Sequence, residues 1–242
     1  MKPTFKLSSP ETGTEYLIYI FQKTDDGGQA ADQLIPVAFM DGDDMFAAAV
    51  AAYKKIKLPR PLLLVGVGYG GSFGKPVNRR GRDYTPAAHS DEPASGGADA
   101  FLKFLTHTLW PELARRYPLN PAVRGVAGHS LGSLLVLHAL FQPKPFFTHF
   151  LASAPSIWWA ERAILRQAAE LRARQASLPG KLYLCIGEED SASGTGDLTL
   201  LEQQLAAQPF AQLEISSRRF PGKNHFNVLP VAFETGLAAL FQ

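Results

Sequence analysis

The stretch AVRGVAGHSLGSLLVLHALF, residues 122–141, decides how this chain folds. Its first residues form the short apolar run of a buried strand, and the residues after GHSLG are apolar on nearly every side, as in a helix enclosed by protein. Gly128 and Gly132 carry no side chains that would collide where the chain doubles back. The stretch therefore predicts a sharp strand-to-helix turn with Ser130 exposed at its apex.

Short apolar runs alternate with longer amphipathic segments through the rest of the chain, which is typical of a sheet covered by helices. The strand candidates are residues 15–21, 35–40, 62–67, 122–127, 148–153, 182–186 and 213–219. Together with the turn at Ser130, they predict the α/β class: an α/β-hydrolase fold with a mostly parallel central sheet, helices on both faces and antiparallel N-terminal strands. In residues 97–117, apolar side chains recur every three or four positions, so we expect a helix that Pro111 kinks or divides.

Two connections stand out by composition. The stretch KTDDGGQAADQ, residues 23–33, is rich in glycine and aspartate, and we interpret it as a flexible hairpin-like connection rather than a domain linker. Residues 69–97 are polar and irregular, and a loop of that length inside a domain is usually functional or disordered.

Length and charge limit the functions to consider. With 242 residues and 46% hydrophobic content, the chain is expected to form a single domain over 1–242. A formal charge of +2 gives no general field that would favour nucleic acid as a partner. The N-terminal sequence lacks the apolar core of a secretion signal, and no segment is apolar enough to span a membrane, so we expect a cytoplasmic protein. The oligomeric state is not predicted.

A serine hydroxyl is a weak nucleophile at neutral pH, so Ser130 needs a base within hydrogen-bond reach. In this fold the acid and then the histidine follow the nucleophile along the chain. His225 is the one histidine far downstream, in the turn PGKNHFN between a strand candidate and a helix candidate. We therefore predict Ser130 as the nucleophile and His225 as the general base.

The acid is expected in the loop GEEDSASGTGD, which follows the strand candidate at residues 182–186. Asp190 is the favoured partner of the histidine and Glu188 the next, while Glu189 competes with both. Any of the three carboxylates can accept a hydrogen bond from the histidine Nδ1–H. A Ser–His dyad, with all three as solvated charges, is the alternative.

Two backbone segments are candidates for stabilising an oxyanion. The N–H of Leu131 lies at a helix N-terminus directly after the nucleophile. The second donor is predicted to be the N–H of Gly42 or Asp43, because this segment follows a strand and glycine lets the backbone approach a substrate closely. A simple tight turn is the alternative there. Trp158 and Trp159 follow another strand candidate, where they either wall the acyl pocket or pack in the core.

Several ordered blocks of this chain resemble the esterase D-like, enterochelin-esterase-type hydrolases, a family that includes trilactone siderophore esterases. The similar blocks are MDGD at 40–43, VGVGYG at 65–70, RGRDYTP at 80–86, SGGADAFLKFL at 95–105, GHSLG at 128–132 and SAPSIWW at 153–159. Ser133 departs from the pattern, where a third glycine is common, and relatives vary in the acidic loop.

The resemblance implies hydrolysis of a small-molecule ester through an acyl-serine intermediate, with no metal or other cofactor. In relatives that open iron-laden siderophores, arginines near the site meet an anionic ferric catecholate. Carried over, these are Arg80 and Arg82, with Arg79 adjacent, and guanidinium groups suit paired oxygens. A solvated loop, or a salt bridge to Asp83, is the alternative. The other functions considered are an acyl, feruloyl or formyl carboxylesterase unrelated to iron and a non-catalytic binding protein on the same fold.

Overall fold

Eight strands form one sheet in the computed structural model, which describes residues 1–23 and 33–242. The strands are β1 (Phe5–Ser8), β2 (Glu15–Gln22), β3 (Ile35–Phe39), β4 (Leu62–Gly68), β5 (Gly125–His129), β6 (His149–Ser153), β7 (Ser177–Gly187) and β8 (Ala211–Phe220). Their order across the sheet is β1-β2-β4-β3-β5-β6-β7-β8.

The sheet is antiparallel at one side and parallel elsewhere. Strand β2 pairs antiparallel with β1 and β4, and all pairs from β4 through β3 to β8 are parallel. The predicted mostly parallel sheet with antiparallel N-terminal strands is therefore confirmed. The hairpin-like interpretation was wrong in its pairing, because β4 separates β2 from β3. Residues 24–32 of that connection lie outside the described residues.

Helices cover both faces of the sheet. They are α1 (Gly42–Lys55), α2 (Arg80–Asp83), α3 (Ala98–Lys103), α4 (Trp110–Arg116), α5 (Leu131–Leu140), α6 (Trp159–Arg174), α7 (Ala192–Ala207) and α8 (Leu229–Phe241). Successive side chains of a strand point to opposite faces. Accordingly, Phe39 packs in one apolar cluster with α1 and α8, while Ala38 packs in the other with α3, α5, α6 and α7.

The helical segment at residues 97–117 is divided, as its proline predicts. Helix α3 passes into a π-helical stretch, Phe104–Leu109, before α4 begins with Pro111 in its first turn. Proline is tolerated there because the first N–H groups of a helix have no intrahelical acceptor. The division keeps an apolar surface against the sheet, with Phe101, Leu105 and Leu113 all buried.

The polar segment at residues 69–97 is anchored to the body of the protein. Asp83 is fully buried, and its Oδ2 accepts hydrogen bonds from the hydroxyls of Tyr16 at 2.7 Å and Tyr69 at 3.1 Å. Burying a charge is costly unless it is paired and hydrogen-bonded. The contact with Tyr16 therefore binds the segment to β2, and the contact with Tyr69 joins Asp83 to the start of the segment, directly after β4.

Candidate active site

Ser130 lies at the junction between β5 and α5, with a φ of 58° and a ψ of −122°. A non-glycine residue with positive φ is strained and persists only where its surroundings hold it. A Cβ at Gly128 would lie 2.3 Å from the backbone carbonyl of Gly132, so this turn requires glycine at position 128. The sequence therefore forms the strained turn that exposes a serine hydroxyl.

Ser133 ties the turn to the sheet. Its Oγ lies 2.7 Å from the carbonyl oxygens of both Gly128 and Ser153, so its one proton is shared between two strands. The N–H of Ser130 also donates to the carbonyl of Ser153 at 3.0 Å. These contacts fix the turn against β6.

His225 and Asp190 are in contact. The Nδ1 of His225 lies 2.8 Å from Oδ2 of Asp190, and the Asp190 side chain is only 5% exposed. The other carboxylate oxygen, Oδ1, accepts a hydrogen bond from the N–H of Ser191 at 2.7 Å. With both oxygens engaged, the carboxylate is oriented and the imidazole is presented with Nδ1 towards it.

The other two acidic residues of this loop do not contact the histidine. Glu188 and Glu189 are exposed, and among the described contacts neither side chain reaches His225. Their backbone N–H groups donate to the carbonyls of Phe220 and Lys223, respectively. The loop after β7 is thus bound to the loop after β8, which carries the histidine.

A cavity of about 460 Å³ contains the nucleophile candidate, the base candidate and the acid together. It is lined by Ser130, Ser156, Trp158, Glu189, Asp190, Ser191, Asn224, His225 and Phe226. Within the described residues, the hydroxyl hydrogen-bonded to Ser130 Oγ is that of Ser156, at 3.3 Å, rather than the His225 ring. Larger grooves of about 880 and 870 Å³ lie around residues 143–147, towards the N-terminal ends of the parallel strands, whereas Ser130 follows the C-terminal end of β5.

His129 packs against the candidate base. The centroids of the His129 and His225 rings are 4.7 Å apart, and the Nδ1 of His129 lies 3.0 Å from Ser153 Oγ. Burial, with smaller contributions from the charges of His225 and Arg80, lowers the pKa of His129 to about 3. His129 is therefore neutral at physiological pH and packs against the His225 ring without adding a positive charge beside it.

The segment between β3 and α1 is strained and anchored. Asp41 is buried with a φ of 55°, and its N–H donates to the Tyr84 hydroxyl at 3.0 Å. Gly42 leaves no room for a side chain, because a Cβ there would lie 2.9 Å from the backbone of Val67. The N–H groups of Gly42 and Asp43 begin α1, where N–H groups lack an intrahelical acceptor.

The N-terminus of α5, which starts at Leu131, lies against the same segment. A Cβ on Gly132 would be 3.3 Å from Oδ2 of Asp41. The carboxylate of Asp43 faces away, because it accepts hydrogen bonds from the hydroxyl of Tyr19 at 2.6 Å and the N–H of Tyr69 at 2.5 Å. The predicted oxyanion segments are therefore neighbours.

Both arginines expected at the substrate form internal ion pairs instead. Nε and Nη2 of Arg80 contact the two carboxylate oxygens of Asp41 at 2.9 and 3.1 Å. Nε of Arg82 lies 2.6 Å from Oδ1 of Asp83, and its Nη2 donates to Thr14 at 2.8 Å. Neither arginine lines the cavity. For Arg82, the salt bridge to Asp83 is the alternative that the sequence left open.

The two tryptophans have separate environments. Trp158 is 48% exposed and lines the cavity. Trp159 is buried, and its Nε1–H donates to the carbonyl of Ala87 at 2.8 Å, which fixes part of the 69–97 segment. Phe226, 84% exposed, also lines the cavity, and sequence reasoning missed it. Its position directly after His225 was the only available signal.

No group of three or more His, Cys, Asp or Glu side chains in residues 1–23 and 33–242 is arranged to hold a metal ion. Over those same ranges, none of the helices has the length and apolar character needed to cross a bilayer.

A strained serine between strand and helix, a downstream Asp–His pair and this sheet order define an α/β-hydrolase. The chain belongs to the esterase family, whose sequence model, described as "Putative esterase", matches residues 36–228. It is 29% identical over 193 residues to the ferri-bacillibactin esterase BesA of Bacillus subtilis, covering 73% of this chain and 66% of that protein. It is 35% identical over 142 residues to the siderophore triacetylfusarinine C esterase of Aspergillus fumigatus, covering 55% and 48%.

Solved structures share the fold over nearly the whole chain. The BES protein from Bacillus cereus superposes with a TM-score of 0.85 at 25% identity, covering 98% of this chain and 94% of that one. The siderophore hydrolase EstB from Aspergillus nidulans gives a TM-score of 0.82 at 24% identity, covering 98% and 93%. The matches to the two curated relatives span 66% and 48% of those proteins' own lengths.

Proposed function

We propose that this protein is a serine esterase in which Ser130 is the nucleophile, His225 the general base and Asp190 the residue that orients the base. One observation carries the proposal: the three side chains line one cavity, with His225 Nδ1 2.8 Å from Asp190 Oδ2. Membership of the esterase family supports it.

The acylation step follows from this geometry. Because Asp190 accepts the Nδ1–H, Nε2 of His225 carries the free lone pair and takes the proton of Ser130 as Oγ attacks the ester carbonyl carbon. The carbonyl oxygen becomes an oxyanion, which accepts hydrogen bonds from the N–H of Leu131 and from that of Gly42 or Asp43. The C–O bond of the ester then breaks, and the alcohol leaves with the proton held by His225.

Deacylation repeats the step with water. His225 takes a proton from water as its oxygen attacks the acyl carbon, and it returns that proton to Ser130 when the carboxylic acid departs. For either step, Oγ of Ser130 must exchange its contact with Ser156 for one with His225. Such catalytic hydrogen bonds are often long or poorly aligned before substrate binds.

Labelling with a fluorophosphonate tests the nucleophile directly. The wild type is expected to gain one adduct, located at Ser130 by peptide mass spectrometry, and Ser130→Ala none. Ser156→Ala is the matched control, because it removes the neighbouring hydroxyl and leaves the proposed nucleophile. An unlabelled wild type, or equal labelling of Ser130→Ala, would favour the non-catalytic binding protein.

Within the esterases, we infer that siderophore esters are the substrates. The names of the curated relatives support this class, since two of them are a ferri-bacillibactin esterase and a triacetylfusarinine C esterase. The test is mass spectrometry of products from iron-loaded and iron-free trilactones and from simple acyl, feruloyl and formyl esters. Turnover of the simple esters with indifference to both trilactones would remove the siderophore class.

A further inference from the structure

The cavity around Ser130 is acidic. Within the described residues, its lining includes the acidic residues Glu189 and Asp190 and no lysine or arginine. Asp190 is engaged with His225, whereas the Glu189 side chain is exposed at the surface of the cavity. Glu189 forms no side-chain ion pair within the described residues, and its contact with Lys223 is from its own N–H to the Lys223 carbonyl. An approaching ester therefore meets a negative charge that is not held in an ion pair.

The nearest arginines in the polar segment do not offset this charge. Arg80 is held by both carboxylate oxygens of the buried Asp41, and Arg82 is held by the buried Asp83. Releasing either one would leave a buried carboxylate without its cationic partner, which is strongly unfavourable. The exposed cations of this segment, Lys75 and Arg79, are not among the lining residues.

Aromatic surface completes the lining. Trp158 and Phe226 are 48% and 84% exposed and lie beside the nucleophile and the base. Such rings stabilise apolar groups by removing their surface from water, and their faces attract cations. A carboxylate next to exposed aromatic rings is the chemistry that recognises apolar and cationic groups and disfavours anions.

We propose that this cavity selects esters that are neutral or cationic beside the scissile bond, with Glu189 as the residue that rejects anionic esters. The inference rests on the proposed esterase function and adds the charge class of its substrate. Three catecholates leave an Fe³⁺ complex with three negative charges, whereas three hydroxamates leave it neutral. Among iron chelates, the cavity therefore favours the trihydroxamate.

The test uses three 4-nitrophenyl esters of 3-phenylpropanoic acid. The phenyl ring of the acid carries a tert-butyl, trimethylammonium or sulfonate group at its para position. The first two groups have nearly the same shape, the leaving group is constant, and each rate is divided by that of hydroxide-catalysed hydrolysis. At 4 Å in water, one unit charge changes binding by a factor of about five, so the cationic and anionic esters should differ about tenfold or more in kcat/KM. Raising the salt to 0.5 M should reduce that ratio.

Glu189→Gln is expected to bring the ratio of kcat/KM for the trimethylammonium ester to kcat/KM for the sulfonate ester close to the value that the aromatic rings alone would give. Glu189→Lys is expected to reverse that preference. Glu170→Gln, which removes the same charge from the outer surface of α6, should keep the wild-type ratio. A wild type that hydrolyses the sulfonate ester as fast as the trimethylammonium ester, or a ratio unchanged by Glu189→Lys, overturns the inference. Failure to hydrolyse any of the three esters would instead refute the proposed function.

Iron chelates provide a second arm of the experiment. An ester-linked ferric trihydroxamate should be hydrolysed with a higher kcat/KM than a ferric tricatecholate trilactone, and Glu189→Lys should narrow the difference. Faster hydrolysis of the tricatecholate by the wild type would overturn the inference while leaving the esterase assignment intact.

Discussion

Asp190→Asn is the change that most directly tests the proposed site, because it replaces one oxygen of the carboxylate by a donor at almost constant size. In the wild type, Oδ1 accepts from the N–H of Ser191 at 2.7 Å and Oδ2 lies 2.8 Å from Nδ1 of His225. An asparagine can keep only one of these contacts as it stands. If its oxygen stays on Ser191, its NH₂ group faces Nδ1.

The imidazole must then accept at Nδ1 and carry its proton on Nε2, where it cannot act as a base towards Ser130. Turning the amide over restores the acceptor at Nδ1 but sets the NH₂ group against the N–H of Ser191. A hydrogen bond to a charged group contributes about 1.5–3 kcal/mol, and a buried donor without a partner costs about 1–3 kcal/mol. Together these effects predict a fall in kcat of roughly 10²- to 10⁴-fold.

The assay is 4-nitrophenyl acetate hydrolysis between pH 6 and 10, with the fold monitored by circular dichroism. Raising the pH should not restore the asparagine variant, because its defect is the position of a proton rather than its titration. Glu188→Gln is the matched control, because it alters the alternative acid in the same loop and should change kcat less than about threefold. An asparagine variant that retains a third of the wild-type kcat, or an equal loss in Glu188→Gln, would refute the role given to Asp190 and favour the Ser–His dyad.

Three further predictions concern stability. Gly128→Ala places a Cβ 2.3 Å from backbone atoms that cannot move independently, so urea unfolding should show a free energy of unfolding lower by several kcal/mol. Gly196→Ala is the control, because a Cβ there meets open space, and it should lower the free energy of unfolding by less than about 1 kcal/mol. Arg80→Ala leaves the buried Asp41 without its bidentate partner and should cost about 3–5 kcal/mol, against less than 1 kcal/mol for the exposed Arg79→Ala; equal losses would contradict the ion-pair argument. The pKa of His129 is lowered from 6.5 to about 3 in the fold, so between these two pH values the unfolded chain binds a proton that the folded chain does not. The free energy of unfolding is therefore unaffected by His129 above pH 6.5 and falls as the pH drops towards 3. At pH 5 the loss is about 2 kcal/mol. His129→Gln should therefore show a smaller loss of stability between pH 7.5 and pH 5 than the wild type, and an unchanged slope would contradict the lowered pKa.

The parts of the fold that the sequence predicts are those encoded by local patterns. The strand, the two glycines and the enclosed helix around Ser130 are contiguous, so the turn could be placed from one stretch of sequence. Helix α7 begins at Ala192 and includes the glycines at positions 194 and 196, which are poor helix formers, so local propensity does not predict its first turn. Ser191 offsets this by accepting the N–H of Gly194 at 3.0 Å, a capping contact that outweighs the poor propensity.

Pairings between distant residues were not accessible in the same way. The partner of Arg80 is Asp41, 39 residues earlier, and a sequence pattern does not report which cations are already neutralised by a buried acid. The choice among the three carboxylates of the GEED loop likewise depends on where β7 ends and how the loop turns. Strand β1 escaped prediction because its four residues, FKLS, alternate between exposed and half-buried at the sheet edge and form no apolar run.

The order in which the chain contributes its reactive groups has a consequence for biosynthesis. Ser130 and Asp190 have both been synthesised once β7 and the loop after it have emerged, but His225 follows only after β8. It directly precedes α8, whose Phe233 ring packs 5.2 Å from that of Phe39 on β3. A nascent chain halted before residue 225 thus has a hydroxyl without a proton acceptor. Under the proposed mechanism, the part of the chain before residue 225 therefore cannot hydrolyse an ester, even with Ser130 and Asp190 in place.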